Sequence, residues 1–150
     1  MDKGENEQKI FSLTEAERTR REVEPILIEA VEVRRKAEEL DEKLGAISNR
    51  ILIMGGLTID YDSVARIRFN HNRMIAQIKE ALDKIQATGC VVKDLSKGLL
   101  DFPAILKNEE VYLCWRLGED RIRFYHRQDE GFAGRKPIDP DDAGPTDTIQ

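Results

Sequence analysis

A hydrophobic seam with alternating steps of three and four residues constrains the fold of this chain more than any other feature. Its first half comprises Val23, Ile26, Ala30, Val33, Ala37, Leu40, Leu44, Ile47, Ile51 and Met54. After a short break, the same spacing continues through Val64, Ile67, His71, Met74, Ile78, Ala81 and Ile85. Such a seam is typical of a helix that lies lengthwise along another helix. The sequence therefore predicts two long helices folded back on each other as an antiparallel, coiled-coil-like hairpin.

The ends of both helices carry local signals. Ser12 and Glu15 have the spacing of a capping box, which predicts that the first helix begins at Ser12. The Gly55-Gly56 pair predicts the end of this helix, and Gly89 predicts the end of the second one. Pro25 lacks a backbone donor, which predicts either a kink or a regular helix that starts near this residue.

After Cys90 the hydrophobic period changes to two, as in a half-buried strand. The predicted inward face of one strand carries Val111, Leu113, Trp115 and Leu117, and its outward face carries Tyr112, Cys114 and Arg116. A turn at Gly118 leads into a return strand at residues 121–126, in which Ile122, Phe124 and His126 are predicted to face inward.

Residues 99–106 form a further predicted strand. We place it at a sheet edge or a bulge, because Pro103 cannot donate a hydrogen bond to a ladder. The predicted fold class is α+β: a long antiparallel helical hairpin followed by a small antiparallel β-sheet of three or four strands.

The chain length of 150 residues suits one domain, predicted at residues 11–136, with the hairpin at 12–88 and the β module at 90–136. We expect a flexible N-terminus at residues 1–10 and a disordered acidic tail at residues 137–150. Most of the net charge of −5 comes from aspartates in this tail, which contains no lysine or arginine. The rest of the chain is close to neutral, so nucleic acid is not expected to be a partner.

The two cysteines, Cys90 and Cys114, do not form a disulfide framework, and the polar start of the chain lacks the pattern of a secretory signal. The expected location is therefore the cytoplasm. No apolar run approaches the roughly 20 residues that a membrane helix needs, so the membrane is not an expected partner.

Several segments of the chain are distinctive in their order. They are FSLTEA at residues 11–16 with Pro25 after it, DFPA at 101–104, VYLCWRLGE at 111–119, and GFAGR at 131–135, with His126 and Asp129 between the last two. In these segments the chain resembles the domain-of-unknown-function family numbered 2203, over the span from Phe11 to Pro137. The resemblance implies no activity, cofactor or catalytic residue.

The polar residues of the β module form the candidate ligand-binding site. They are Asp101, Tyr112, Arg116, His126, Asp129, Glu130 and Arg135. The metal candidates among them are His126, Asp129 and Glu130, which offer one imidazole and two carboxylates, whereas Arg135 suits a carboxylate or phosphate. No known ligand spacing is matched. In the alternative interpretation, Asp129 caps a turn and His126 closes the sheet edge.

Cys114 is predicted to be a packed, inert thiol, although Arg116 beside it offers the alternative of a reactive thiolate. A pair of Cys114 and His126 would need a twist or a bulge, because the two are predicted on opposite faces. Together with Cys90 and His71 they are too scattered to predict a structural zinc site. We interpret His71 either as a satisfied buried histidine or as a polar seam residue that fixes register.

Three functions remain open at this point. The preferred hypothesis is a non-enzymatic interaction module, in which the hairpin forms a homodimer or binds a partner helix, because the seam is longer than a small core requires. The alternative is a protein that binds a small molecule or a divalent metal through the polar cluster around residues 126–135. This alternative includes an enzyme. The third, RNA or single-stranded DNA binding, is disfavoured because seven cations face six anions in residues 107–136.

Overall fold

The computed structural model describes residues 8–56 and 59–139, which form a helical hairpin followed by a five-stranded antiparallel sheet. The helices are α1 (Leu13–Met54) and α2 (Tyr61–Ala87). The strands are β1 (Val91–Asp94), β2 (Leu99–Leu106), β3 (Glu109–Arg116), β4 (Phe124–Arg127) and β5 (Lys136–Pro137), and they lie in the sheet in chain order. The predicted fold class is confirmed. The sheet has one strand more than the three or four expected, because the short β5 pairs with β4.

The predicted capping box begins α1. The Ser12 hydroxyl accepts a hydrogen bond from the Glu15 amide at 3.1 Å, and the Glu15 carboxylate accepts one from the Ser12 amide at 3.1 Å. From there α1 runs for 42 residues, about 63 Å at ~1.5 Å per residue. Pro25 lies inside this continuous helix, so the regular helix does not start there. The side chain is exposed, which leaves water able to replace the missing backbone bond.

Glycines end both helices where the sequence predicted. Gly55 caps α1 with a φ of +82°, and Gly89 follows α2 with a φ of +96°, a backbone region that favours glycine. Between the helices, the Asp60 carboxylate accepts hydrogen bonds from the amides of Asp62 and Ser63 and thereby begins α2.

The first part of α1 packs on one face of the sheet, which we call the inner face. The helices supply Ala16, Val23, Leu27 and Ile85, and the sheet supplies Leu100, Phe102, Ala104, Val111, Leu113 and Trp115. Phe11 joins this core just before the helix and contacts Phe102 edge to face, with ring centroids 5.3 Å apart. The core therefore lies between the sheet and the base of the hairpin.

The hairpin extends well beyond this core. In the described part of the helices, no side chain after Ala37 in α1 or before Ile85 in α2 is buried. The seam residues of that region, such as Leu44 and Ile67, are only half-buried. The far part of the hairpin thus consists of two helices that cover each other incompletely. No helix in the described ranges is long and apolar enough to cross a membrane.

The register of the sheet corrects the predicted facing of the return strand. Cys114 pairs with Phe124 and Tyr112 pairs with His126, so all four lie on the outer face of the sheet, opposite the helices. Ile122 does lie in the core, as predicted. The prediction for Phe124 and His126 was wrong because residues 121–123 are not part of a strand, and the alternation of faces is interrupted before β4 begins.

The placement of Pro103 at an edge or bulge was also wrong, since β2 lies between β1 and β3. The pairing of β1 reaches only to Asp101, however, so it does not extend to Pro103. There Phe11 takes the neighbouring position, and its amide donates to the Pro103 carbonyl at 2.7 Å. A proline is tolerated in this inner strand because that position faces no ladder acceptor.

The described residues include three beyond the predicted domain boundary at residue 136. Pro137 belongs to β5, and the Ile138 amide donates to the Arg123 carbonyl at 2.8 Å. The remainder of the predicted tail, residues 140–150, lies outside the described residues. So do residues 1–7 of the predicted flexible N-terminus.

Two neighbouring residues of α1 test the packing of this helix on the sheet. Leu27 is 0% exposed and Ile28 is 49% exposed. We expect Leu27→Ala to lower the free energy of unfolding by about 2–5 kcal/mol, because it leaves a cavity in the core. The matched control, Ile28→Ala, should change it by about 0.5 kcal/mol or less. Urea unfolding followed by circular dichroism measures both, and equal losses would contradict this packing.

Candidate functional site

Three polar side chains from adjacent strands converge on the outer face of the sheet. Asp101 lies on β2, Cys114 on β3 and His126 on β4, and one potential ligand atom from each lies within 4.8 Å of the other two. Asp101 is 1% exposed and His126 is 2% exposed. A buried group of this kind is costly unless its members are hydrogen-bonded to one another. We call these three residues the Asp-Cys-His cluster.

The hydrogen bonds of His126 determine where its protons lie. Its Nδ1 is 2.8 Å from the Arg127 carbonyl oxygen, which can only accept, so Nδ1 carries a proton and donates it. Its Nε2 is 3.1 Å from Asp101 Oδ2. Asp101 and His126 therefore share one further proton, held either by a neutral acid that donates to Nε2 or by an imidazolium that donates to a carboxylate. The pair is neutral in both forms.

Burial and mutual charge set the electrostatics of the cluster. Burial raises the pKa of the Asp101 carboxyl group, although the interactions with His126 and Lys93 oppose this shift. Burial, together with the charge of Asp101, raises the pKa of the Cys114 thiol to about 11. Cys114 is thus a protonated thiol at neutral pH. This state agrees with the packed, inert thiol that we predicted and not with the alternative of a reactive thiolate.

Two cationic side chains flank the cluster. On one side the Lys93 ammonium group lies 4.0 Å from Asp101 Oδ2 and 5.6 Å from the centre of the Tyr112 ring. The Tyr112 ring in turn lies 5.4 Å from the His126 ring. On the other side, Arg135 Nη1 lies 4.0 Å from the Cys114 sulfur. Lys93 is more than half exposed, so the cluster is separated from solvent on that side by a flexible side chain.

Arg135 is held in place by three neighbours. Its guanidinium group stacks between the rings of Phe124 and Phe132, at 4.2 and 4.1 Å from their centres, and it forms an ion pair with Glu119. Phe132 belongs to a single 3-10 turn at Phe132–Gly134, and its ring contacts Arg116 and Arg135. Arg135 therefore lies beside Cys114 with its charge already paired.

The remaining predicted residues are not brought into the cluster. Glu130 accepts hydrogen bonds from the Arg127 amide and the Lys136 ammonium group, at 2.9 and 2.8 Å, and so fixes its own loop. Asp129 is exposed. Arg116 is exposed as well, with its guanidinium carbon 5.7 Å from the centre of the Phe132 ring. Of the seven candidates, the structure joins Asp101 and His126 directly and places Tyr112 and Arg135 beside the cluster.

Cys114 is the member of the cluster that sequence reasoning missed. The predicted facing of the return strand separated it from His126, whereas the actual register places both on the outer face. Asp101 reaches Cys114 through the pairing of β2 with β3, a property of the folded sheet that the hydrophobic pattern of one strand does not reveal. Cys90 packs in the core of the inner face, and His71 is half-buried on α2, so neither belongs to this group.

The arginines of the β module are largely engaged with acids. Arg123 contacts Asp120 through two hydrogen bonds, and Arg127 contacts Glu109 at 2.7 Å. A separate groove of about 610 Å³ lies between the start of α1 and the end of the sheet. It is lined by Leu13, Glu17, Arg21, Arg121, Phe124 and Ile138 among others, and by none of the seven candidate residues.

The raised pKa of the Cys114 thiol predicts an alkaline loss of stability. A thiol with a raised pKa stabilises the fold below its unfolded pKa, about 8.5, and this contribution is lost as the pH rises through its folded pKa of about 11. Between these pH values the free energy of unfolding of Cys114→Ala should fall less steeply with pH than that of the wild type. The difference in slope should correspond to at most about one bound proton. Ile105→Ala, at an exposed position of β2, is the control. Identical slopes for Cys114→Ala and the wild type in urea titrations would contradict the assignment.

Comparison with known proteins places the chain in a family without supplying an activity. No curated protein and no solved structure matches it. The model of the family described as "Uncharacterized conserved protein (DUF2203)" matches residues 9–138, which include both helices and all five strands. The chain is therefore a member of the DUF2203 family.

Proposed function

We propose that this protein is a non-enzymatic interaction module whose helical hairpin pairs with the hairpin of a second copy. The observation that carries the proposal is the incomplete burial of the seam beyond Ala37. Four apolar side chains of the seam are only half-buried in this region: Leu44, Ile47, Ile67 and Met74. Exposed apolar surface costs about 25 cal/mol per Å², and two isolated helices cannot remove it from water. Four helices in a bundle can.

Further apolar side chains project from the far end of the hairpin. Leu52 is 83% exposed, and Ile53 and Met54 beside it are also largely exposed. On α2, Phe69 is 62% exposed. Single exposed apolar residues are ordinary, but a group of them at one end of an elongated structure is typical of a protein interface.

The charges along the hairpin favour a second copy in the antiparallel orientation. The distal half, residues 43–54 and 61–75, contains five cations and one anion. The proximal half, residues 29–42 and 76–87, contains eight acids and five cations. Two hairpins placed side by side in opposite directions bring each basic half beside an acidic half, whereas parallel hairpins place like charges together. We therefore propose a two-fold symmetric, antiparallel dimer.

Other elements of the proposal follow from the same features. The interaction needs no catalytic group and no cofactor. Both cysteines are free, buried thiols, which suits a protein of the reducing cytoplasm. Because Arg123, Arg127 and Arg135 are paired with acids, we propose a protein partner in preference to nucleic acid.

A second candidate function is the binding of a small ligand or divalent metal on the outer face of the sheet. The Asp-Cys-His cluster favours it, whereas Asp129, Glu130 and Arg135 have surroundings that account for them without a ligand. This candidate does not depend on the hairpin dimer, and either could hold alone.

Exposed apolar residues at the hairpin end provide the first test of the dimer. We expect the pair Leu52→Glu and Phe69→Glu to convert the dimer to a monomer, because both side chains would enter the interface as charges. The matched control, Ile105→Glu, replaces a half-exposed residue of the sheet and should leave the dimer intact. Light scattering coupled to size exclusion measures the mass. A monomeric wild type at micromolar concentration would overturn the proposal.

Charge reversal tests the orientation. Three Arg→Glu changes in the distal half, at Arg66, Arg68 and Arg73, should weaken the dimer at least about tenfold, since acids then face acids. Three changes to lysine in the proximal half, at Glu38, Asp41 and Glu42, should weaken it similarly. All six changes together should restore it, because the opposite charges face each other again. Sedimentation equilibrium measures the dimer dissociation constant of each variant. If the variant with all six changes dimerises more weakly than both triple variants, the antiparallel arrangement is wrong.

A further inference from the structure

We propose that Asp101, Cys114 and His126 bind a divalent transition-metal ion of the zinc class. This proposal is independent of the hairpin dimer, because the cluster lies on the outer face of the sheet. It also differs from the site expected from sequence, in which Asp129 and Glu130 accompanied His126. Here the ligands come from three adjacent strands, so the rigid part of the fold and not a loop positions them.

The types of ligand select the class of metal. Asp101 offers a carboxylate oxygen, Cys114 a sulfur and His126 an imidazole nitrogen. Thiolate and imidazole ligands favour zinc and similar ions, whereas calcium and magnesium are bound by oxygen. A set with one sulfur, one nitrogen and one oxygen therefore fits a borderline-soft divalent ion.

The distances fit such an ion with little adjustment. Zinc bonds of about 2.0–2.3 Å in tetrahedral geometry place neighbouring ligand atoms roughly 3.2–3.8 Å apart. His126 Nε2 and Asp101 Oδ2 are 3.1 Å apart, and the ligand atoms of all three residues lie within 4.8 Å of one another. The largest separation, at most 4.8 Å, exceeds that spacing by about 1 Å, which a side-chain rotation would have to close around the ion.

The second hydrogen bond of His126 is an independent observation that favours a metal. Histidines that bind metals almost always donate their other ring N–H to a carbonyl, a carboxylate or water. The Nδ1 of His126 donates to the Arg127 carbonyl at 2.8 Å, which directs the Nε2 lone pair toward Asp101 and Cys114. The ring orientation that a metal ligand needs is thus already fixed by the backbone of β4.

Charge balance and access are consistent with this site. A divalent ion replaces the proton shared by Asp101 and His126 and the thiol proton of Cys114, so the two negative ligands neutralise the ion. The Arg135 charge is compensated by Glu119, and the Lys93 side chain, more than half exposed, can move into solvent. Three protein ligands leave a fourth position for water or a small ligand on the Lys93 side.

Cobalt titration of the reduced, full-length wild type tests the site. Co²⁺ is the probe because a tetrahedral site with a thiolate gives both visible ligand-field bands and a near-ultraviolet sulfur-to-cobalt band. We expect one Co²⁺ per chain with both features, displaced by one equivalent of Zn²⁺. No sulfur-to-cobalt band in the wild type would overturn the proposal, and this result does not depend on any variant being folded.

Variants then assign the ligands. Cys114→Ser should abolish the sulfur-to-cobalt band, and Asp101→Asn or His126→Gln should weaken Co²⁺ binding at least about tenfold. The matched control is Cys90→Ala, which removes the other buried thiol, on the inner face, and should keep the band. Circular dichroism verifies the fold of each variant. A band that survives Cys114→Ser but disappears in Cys90→Ala would contradict the assignment.

Discussion

The packing of α1 on the inner face of the sheet is the contact on which the rest of the structure depends. Leu27 and Val23 enter a core with Trp115 and Phe102, and Ile85 closes it where α2 returns. This contact uses only the first part of α1. Because the same seam continues far beyond the sheet, the helix that completes the core also projects a partly exposed hairpin into solvent. One continuous pattern thus runs through the buried core and along the partly exposed part of the hairpin.

The two faces of the sheet are built on different physical principles. The inner face is buried by apolar contact with the helices. Among the described residues neither α1 nor α2 covers the outer face, and the buried Asp101 and His126 lie there with the side chains of Lys93, Tyr112 and Arg135 around their cluster. Polar groups can be buried at such a place because they bond to each other, as the Asp101–His126 contact does. For this reason we propose metal binding on the outer face, at the Asp-Cys-His cluster, and dimerisation through the hairpin.

Much of the fold could be predicted from the sequence, because the relevant signals are local. Three signals act within a few residues each: the seam, the Ser12 cap and the glycines at the helix ends. The structure has the helices, the cap and the glycine ends at the positions that these signals predicted. The membership of Cys114 in the cluster could not be predicted, since it depends on the register between three strands. A single interruption at residues 121–123 reversed the facing of His126. Pro103 was misplaced for a similar reason, because its tolerance depends on how far β1 extends.

The antiparallel pairing of two hairpins is the central claim, and the distance between the two hairpin ends tests it most directly. A nitroxide attached at Asp62→Cys, an exposed position near the start of α2, reports this distance by pulsed electron spin resonance, while the native thiols are buried. If residues 61–75 lie beside residues 76–87 of the second copy, each label lies about 13 residues from the two-fold axis, and the two labels should be about 40 Å apart at ~1.5 Å per helical residue. A distance below about 20 Å would indicate parallel hairpins, whose axes lie ~8–10 Å apart, and the absence of dipolar coupling would indicate no pairing. Either result would contradict the account.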